Sequence, residues 1–226
     1  MTLPQSSETD AFSIADLRRR AHGVLTAPDQ RVTAAIDVAG RYDFELNPEL
    51  AGLSEVEEKR PAAVLIPVLE RNNEASVLFT QRTDDLPTHA GQISFPGGKM
   101  DAGDANVIET ALRETSEEIG LDPGYVEPVG FLEDYITSTG YRISPLVAVI
   151  RSGYSLTPDC NEVADVFDVP LSFLMNVQNH EIHSREWRGT KRQFYAMPYG
   201  ERFIWGATAG MLRNLYEWLY RAETSI

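Results

Sequence analysis

Cysteine is nearly absent from the sequence. The single example, Cys160, cannot form an internal disulfide, and no second cysteine completes a thiolate zinc site. Two of the four histidines, His180 and His183, stand close together in HEIH, but this segment alternates like a strand and lacks the second Glu-His element of a zinc protease. We therefore expect neither disulfide nor zinc chemistry.

Positive charge and long apolar runs are also scarce. The chain has 20 lysines and arginines against 34 acidic residues, a formal net charge of -14, which opposes binding to nucleic acid or to an anionic membrane. No apolar run approaches the roughly 18 residues that span a bilayer, and the start, MTLPQSSETD, does not resemble a signal peptide. These absences predict a cytoplasmic protein that binds neither nucleic acid nor membrane. For the oligomeric state, the sequence does not distinguish a monomer from a homodimer. An anionic substrate would need metal ions to screen its charge.

The chain does have enough apolar residues for one core. Of its 226 residues, 42% are hydrophobic. The helical spacing of FSIADLRRRAHGVL predicts an amphipathic helix over 12–25, whereas 28–60 show no period and indicate an arm. We therefore predict an N-terminal extension, residues 1–60, and a domain, residues 61–226. In the domain, RNNE predicts a hairpin turn between two strands. Further apolar runs predict strands over 125–136, 142–150 and 162–170, a strand pair over 180–188 and 192–200, and a final helix over 207–222, which together indicate an α/β or α+β sandwich.

Three glutamates crowd the segment RETSEEIG. Glu114, Glu117 and Glu118 stand at i, i+3 and i+4 of a predicted helix over 105–119, so their side chains share one face. Like charges on one helix face repel, and Glu118 lies at the edge of the apolar stripe, where burial calls for a positive partner. A divalent cation such as Mg²⁺ suits such carboxylates. From this segment alone, a solvated acidic face is an equally good interpretation.

The predicted helix has clear end signals and a glycine pair before it. Asp104 is a candidate N-cap, and Gly120 with Pro123 ends the helix. Upstream, FPGGK contains Gly97 and Gly98, which allow the backbone to approach a ligand or expose a carbonyl oxygen.

Together these features resemble the Nudix box, G-x5-E-x7-R-E-U-x-E-E-x-G-U with U aliphatic. The match starts at Gly98 and ends at Leu121, with Asp104 in place of the first glutamate, one extra residue before Arg113, and Thr115 at an aliphatic position. LFTQRTDDLPTHAGQISFPGG before the box is similar to the motif of the coenzyme A pyrophosphatase branch, except that Pro87 replaces an arginine and that Phe79 and Thr83 are milder departures. The resemblance extends over about residues 60–215.

The resemblance implies a Nudix-type α/β/α sandwich with a mixed β-sheet. It implies a metal-dependent pyrophosphohydrolase that cleaves a small nucleoside diphosphate-linked substrate, here coenzyme A or its thioesters, to 3′,5′-ADP and 4′-phosphopantetheine. Mg²⁺ or Mn²⁺ is the expected cofactor. Glu114 and Glu118 are the first-choice ligands, with Glu117 as a third ligand or holding a metal-bound water. The remaining expected site residues are the Gly98 carbonyl on the metal, Arg113 orienting Glu117, and Arg82, Gln92, Lys99, Tyr141 and Arg142 on the substrate.

Several alternatives stay open at this point. The substrate is alternatively ADP-ribose or NADH, or the chain is a noncatalytic Nudix-fold nucleotide sensor, although intact glutamates speak against a sensor. Glu133, Asp134 and Glu162 are equal candidates for the general base. We expect Trp187, Tyr195 and Trp205 to fill the core or an interface.

Overall fold

The fold is organised around strand β2 (Arg60–Arg71), which is buried on both faces. A computed structural model describes residues 11–31, 41–42, 46–48, 59–86, 88–187 and 189–221. Leu65 and Leu69 point into one hydrophobic cluster, and Ile66 and Val68 point into a second cluster on the other face. Successive side chains of a strand alternate between faces, so this unbroken apolar run is explained by cover on both sides.

Strand β2 forms the predicted hairpin with β3 (Glu74–Arg82). Asn72 and Asn73 make the turn with positive φ angles of 52° and 66°. Asparagine tolerates this left-handed conformation, which matches the twist of a tight hairpin. The RNNE prediction is confirmed.

Among the residues that the structure describes, the main sheet has nine strands of mixed direction. Strand β2 pairs in parallel with β8 (Tyr141–Ile150), and β3 pairs antiparallel with β9 (Val163–Pro170). The other strands extend this sheet: β1 (Arg41–Tyr42), β4 (Ile93–Ser94), β5 (Gly97–Lys99), β6 (Val126–Phe131) and β7 (Tyr135–Ile136). A separate antiparallel sheet contains β10 (Glu181–Trp187), β11 (Thr190–Tyr199) and β12 (Arg202–Trp205).

Helices cover both faces of the main sheet. Helix α2 (Val107–Ile119) shares one hydrophobic cluster with the sheet, whereas α1 (Ile14–Ala21) and α4 (Ala207–Leu219) share the other. A short helix, α3 (Leu171–Leu174), follows β9. The predicted α/β/α sandwich is confirmed. The longest described helices, α2 and α4, have 13 residues each, and none of the described helices has the length and apolar character of a membrane span.

All three predicted helices have different bounds in the structure, and α4, predicted over 207–222, ends at Leu219. Helix α1 is shorter than 12–25, because Ser13 caps its first turn and the chain leaves the helix after Ala21. Helix α2 begins after Asn106, whose side chain accepts the N–H groups of Ile108 and Glu109 at 2.9 and 3.0 Å. Asparagine at the N-cap satisfies amides that the helix leaves unpaired.

The end of α2 is as predicted. Gly120 has φ 68° and ψ 17°, and its N–H donates to the Ser116 carbonyl at 2.9 Å. The left-handed conformation carries no Cβ penalty in glycine.

The described part of the N-terminal segment is joined to the sheet by a buried ion pair. The guanidinium of Arg31 pairs with the carboxylate of Asp134 and donates to the Leu132 carbonyl at 2.8 Å. Ser144 also donates to Asp134 at 2.7 Å. Residues 32–40, 43–45 and 49–58 lie outside the described residues, as do most of the predicted arm and Pro87. The division at residue 60 stays a prediction.

Candidate active site

The glycine pair lies on β5, antiparallel to β2, where Gly97 pairs with Val64 and Gly98 with Ala63. Gly97 has a φ of 147°, and a Cβ there would lie 2.4 Å from the Ala63 carbonyl oxygen. A Cβ on Gly98 would lie 2.4 Å from the carboxylate of Glu114. A side chain at Gly97 would clash with the backbone of β2, and a side chain at Gly98 would force the Glu114 carboxylate to move. The two glycines therefore let glutamate carboxylates approach the backbone of β5.

Glu118 is buried, with only 5% of its surface exposed. Its Oε2 accepts the Gly97 N–H at 3.1 Å, and its Oε1 lies 3.7 Å from Nη1 of Arg82. Burial raises the pKa of Glu118 to about 7, an effect that Gly97 and Arg82 reduce and that Glu114 and Glu162 reinforce. The site is therefore short of positive charge around this carboxylate.

Glu114 lies one turn before Glu118 on α2. Its carboxylate lies against Gly98 and accepts a hydrogen bond from Nη1 of Arg113 at 2.9 Å. Burial is the main cause that raises its pKa, and the charge of Glu117 adds to it, while Arg113 opposes the rise. Two neighbouring carboxylates are thus both held where ionisation is unfavourable without a further cation.

Arg113 connects the helix to the loop before it. Its Nε and Nη2 donate to the two oxygens of Asp104 at 2.9 and 2.8 Å, and Nη2 also donates to the Lys99 carbonyl at 3.1 Å. Its Nη1 donates to Glu114 and to Glu117, the latter at 3.1 Å. These bonds raise the pKa of Arg113 and hold the pKa of Asp104 well below its usual range.

Asp104 therefore has another role than the predicted N-cap. It accepts the fork of Arg113 and the hydroxyl of Thr110 at 2.9 Å. It stands at the position of the first glutamate in the Nudix box, and the bidentate contact requires only a carboxylate.

Two carboxylates fit a divalent cation. Glu114 and Glu118 are adjacent, buried to different degrees and raised in pKa, and Gly98 leaves its backbone open beside them. Hard cations accept carboxylate and backbone carbonyl oxygens. The Glu117 side chain is 61% exposed and paired with Arg113. No group of three or more His, Cys, Asp or Glu side chains is arranged as a metal site within the described part of the chain.

A cavity of about 960 Å³ opens above this site. Its lining includes Glu114, Glu118 and the glycine pair. Four of the predicted substrate-binding residues also line it: Arg82, Gln92, Lys99 and Tyr141.

Two side chains near the cavity are held by neighbours. His89 Nδ1 lies 2.8 Å from Oε1 of Gln92, which fixes that amide. Arg142 is not among the lining residues; its guanidinium lies 4.0 Å from Asp134. Asp134 is itself buried and paired with Arg31 and Ser144, whereas Glu162 lines the cavity.

The small sheet supplies a cavity wall that sequence reasoning missed. Arg185, Arg192, Phe194, Tyr195 and Trp205 line the cavity. Tyr195 packs partly buried against the main hydrophobic cluster, as expected, and also lines the cavity. Trp205 lines the cavity and lies outside both hydrophobic clusters of the described residues, which corrects the expectation for that residue. The side chain of Trp187 lies outside the described residues. The sequence signal for this wall was the alternation of basic and aromatic residues along HSREWR and KRQFY. To predict that these residues share one face, the pairing register of the two strands was also needed.

Comparison with known proteins identifies the class of enzyme. The family model described as NUDIX domain matches residues 59–191, more than half of the chain. The chain belongs to the Nudix family and is a Nudix hydrolase, a pyrophosphohydrolase; this prediction is confirmed. Nudix hydrolases generally use divalent metal ions and act on small nucleotide substrates.

Individual relatives agree with the family. The chain is 38% identical over 179 residues to a Citrobacter koseri protein named Uncharacterized Nudix hydrolase NudL, covering 79% of this chain and 91% of the relative. It is 38% identical over 156 residues to the protein of the same name from Escherichia coli O1:K1 / APEC, covering 69% of this chain and 81% of the relative. Among solved structures, a NUDIX hydrolase from Alicyclobacillus acidocaldarius has 16% identity and a TM-score of 0.45, over 72% of this chain and 93% of that one.

Proposed function

We propose that the protein hydrolyses coenzyme A, or its thioesters, to 3′,5′-ADP and 4′-phosphopantetheine with Mg²⁺ or Mn²⁺. The observation that carries this proposal is the pair Glu114 and Glu118, held against the Gly97–Gly98 backbone on the wall of a cavity of about 960 Å³. Cavities of several hundred cubic ångströms suit a ligand of nucleotide size.

The site residues divide the work of the reaction. A divalent cation, when bound, screens the diphosphate and lowers the pKa of a coordinated water. Glu114 and Glu118 hold it, while Arg113 fixes the Glu114 carboxylate and the Gly97 N–H fixes that of Glu118. Rigid placement of these groups before the substrate arrives contributes to rate, because little rearrangement is then needed in the transition state.

Charged side chains around the glutamates take the remaining roles. Arg82 and Lys99 line the cavity and supply positive charge to the diphosphate oxygens. Glu162 lines the same cavity and is our choice for the base that accepts a proton from the attacking water. Asp134 is a poor choice because Arg31 and Ser144 already occupy its carboxylate.

The charge of the cavity supports a strongly anionic substrate. Acidic residues outnumber basic ones 34 to 20 in the whole chain, yet five Lys or Arg and four Asp or Glu line this cavity. With a divalent cation on the glutamates, the balance becomes more positive still. The basic lining residues are Arg60, Arg82, Lys99, Arg185 and Arg192, and the acidic ones are Asp101, Glu114, Glu118 and Glu162.

A substrate panel tests this proposal. We expect coenzyme A to give a higher kcat/KM than dephospho-coenzyme A, ADP-ribose and NADH with Mg²⁺ or Mn²⁺, with 3′,5′-ADP and 4′-phosphopantetheine as the products. A higher kcat/KM for ADP-ribose or NADH would overturn the coenzyme A assignment and leave the Nudix assignment intact. Tight binding of a nucleotide without turnover of any panel member would instead indicate a sensor.

A further inference from the structure

One wall of the cavity has no role in the proposed reaction. Helix α4 contributes Ala207, Gly210, Met211 and Asn214 to the lining. These positions are i, i+3, i+4 and i+7, so their side chains share one face of the helix. Helices α4 and α2 cover opposite faces of the main sheet, and this wall is therefore separate from the helix that carries the glutamates.

The side chain of Asn214 is buried and its carboxamide is unpaired. Only 4% of the residue's surface is exposed. In the part of the chain that the structure describes, no hydrogen bond joins this carboxamide to another residue. A carboxamide has an acceptor oxygen and two donor hydrogens, and burying them without partners costs free energy. Such a group in a folded protein calls for a physical explanation.

Two other buried polar residues show how a structural role is built in this protein. Asn47 donates from Nδ2 to the Gln193 carbonyl at 2.9 Å, and its Oδ1 accepts the Gln193 N–H at 2.7 Å. On α4 itself, the hydroxyl of Thr208 donates to the Ile93 carbonyl at 3.2 Å. Asn214 makes no such bond and lines the cavity. The partner of its amide is therefore expected to be a ligand in the cavity.

The surroundings of Asn214 suit a ring with polar atoms on one edge. Gly210 lets α4 approach the sheet, because a Cβ there would clash with the hydroxyl group of Tyr135. Tyr135 and Ile143 are directly opposite each other on β7 and β8, and both line the cavity. Met211 lines it one turn before Asn214. The amide thus lies among apolar and aromatic side chains, where a hydrogen bond also fixes the orientation of a ligand.

We propose that Asn214 binds the nucleobase of the substrate and is a specificity-determining residue for adenine. Adenine has its 6-amino donor next to a ring-nitrogen acceptor, so one edge of the base pairs with both the oxygen and the nitrogen of the carboxamide. A secondary amide, such as those of pantetheine, directs its N–H and C=O to opposite sides. It would therefore pair with only one of the two groups of Asn214.

The inference rests on the proposed function in one respect, that the substrate is an adenine nucleotide. Coenzyme A, ADP-ribose and NADH all contain adenine, so the base contact does not depend on which of them is hydrolysed. Asn214 contacts the base, whereas Glu114, Glu118 and their cation act on the diphosphate. Removing the base contact should therefore weaken binding and leave bond cleavage intact.

The first test measures binding without turnover. Calorimetry compares 5′-AMP with purine riboside 5′-monophosphate, which lacks only the 6-amino group, and neither nucleotide has a diphosphate to hydrolyse. The wild type should bind 5′-AMP about tenfold more tightly, because the analogue leaves Oδ1 of Asn214 unpaired. Asn214→Leu and the smaller Asn214→Ala should bind the two nucleotides alike. Equal binding by the wild type, failure to bind either nucleotide, or an undiminished preference in both variants would overturn the proposal.

Two controls assign the effect to the base contact. Trp218→Leu changes an exposed residue of α4 that is not in the cavity lining, and it should keep the wild-type preference. Binding of 4′-phosphopantetheine should be the same in the wild type and in Asn214→Leu. If Asn214→Leu lost affinity for 4′-phosphopantetheine instead, the amide would belong to the pantetheine part and the base contact would be wrong. Loss of the preference in Trp218→Leu would also count against it.

Kinetics with coenzyme A separates this inference from the proposed function. Asn214→Leu should raise KM about tenfold and leave kcat near the wild-type value, because the base contact is the same in the ground state and the transition state. A preference for 5′-AMP without hydrolysis of coenzyme A would support the base contact and contradict the proposed function. Hydrolysis of coenzyme A with no preference for 5′-AMP would do the reverse.

Thermal unfolding distinguishes a binding role from a structural one. Without ligand, Asn214→Leu should melt at or above the temperature of the wild type, because it removes a buried amide that has no partner. Asn47→Leu should melt lower, since it leaves the N–H and C=O of Gln193 unpaired. Added 5′-AMP should raise the melting temperature of the wild type more than that of Asn214→Leu. Melting temperatures of Asn214→Leu and Asn214→Ala as low as that of Asn47→Leu would show that the amide stabilises the fold, and would overturn the proposal.

Discussion

The carboxylate of Glu114 occupies the space where Gly98 would carry a Cβ. The distance between that Cβ position and the nearest carboxylate atoms is 2.4 Å. Gly98→Ala should therefore displace Glu114 and reduce kcat on the order of 100-fold, because misplacing a catalytic group by about an ångström has effects of this size. Steady-state kinetics across a Mg²⁺ titration measures it.

A control for this substitution lies five residues along the chain. A Cβ added to Gly103 meets no atom within 4 Å, so Gly103→Ala should leave kcat unchanged. Equal kcat values for Gly98→Ala and Gly103→Ala would show that turnover does not depend on the position of the Glu114 carboxylate beside Gly98.

The half-buried Glu114 and the buried Glu118 can be tested by removing their charge. Glu114→Gln and Glu118→Gln should each abolish most turnover and lower metal affinity, because glutamine is similar in size but is a poorer ligand for a hard cation. Glu109→Gln, on an exposed position of the same helix, should retain activity. Near wild-type hydrolysis by Glu114→Gln or Glu118→Gln at saturating Mg²⁺ would remove that residue from the ligand set.

The raised pKa of Glu118 predicts a pH dependence of stability in the metal-free protein. The pKa is about 7 in the folded state against an ordinary value of 4.5, so the folded protein binds this proton more tightly than the unfolded chain does. The stabilisation from this proton is complete below pH 4.5 and is lost as the pH rises through 7, by up to about 3 kcal/mol at roughly 1.4 kcal/mol per pKa unit.

The measurement is urea unfolding in EDTA between pH 4 and about pH 8. The free energy of unfolding of Glu118→Gln should exceed that of the wild type by more as the pH rises. Adding Mg²⁺ should raise the free energy of unfolding of the wild type near pH 8, since the cation binds the ionised carboxylate. Parallel curves for the two proteins in EDTA would contradict the assigned pKa.

The N-terminal segment offers a comparison of two ion pairs. Arg31 is buried with Asp134, while Arg18 pairs with Glu127 at 2.8 Å with both side chains more than 40% exposed. Arg31→Leu leaves a buried carboxylate without its partner and should reduce the free energy of unfolding by about 3–5 kcal/mol. Arg18→Leu should cost no more than about 1 kcal/mol. Equal effects of both substitutions in denaturant unfolding would indicate that Arg31 does not anchor the segment.

Deletion of residues 1–10 gives a separate expectation. These residues lie outside the described part of the chain, and their polar composition predicts that their removal leaves the melting temperature unchanged. Deletion through α1 should lower it, because Leu17 is fully buried against the sheet.

Local sequence signals predicted what depends on local chemistry. Asn72–Asn73 identified the hairpin, and Gly120 identified the end of α2, because each conformation follows from the residue itself. The start of α2 was misassigned because Asp104 and Asn106 are both good caps. The choice between them depends on Arg113, nine residues after Asp104, whose guanidinium occupies the aspartate.

For the candidate site, too, the sequence predicted the local features and not the contacts between distant segments. Helical spacing places Glu114 and Glu118 on one face, but it says nothing about the exposed position of Glu117 or about which cations reach the cavity. Arg185 and Arg192 are brought opposite each other by the pairing register of β10 and β11, and both reach the cavity only because of where this sheet packs. Such contacts between separate segments have no counterpart in a local pattern.

The cavity crosses the boundary of the region that defines the family. The family model ends at residue 191, whereas Arg192, Phe194 and Trp205 on the cavity wall follow it. Helix α2, which carries Glu114 and Glu118, lies within the matched segment, whereas part of the cavity wall follows it in the sequence. A family match over residues 59–191 therefore leaves this part of the cavity wall undescribed, and exchanging the segment from 192 to 205 between relatives would test whether it affects substrate selectivity.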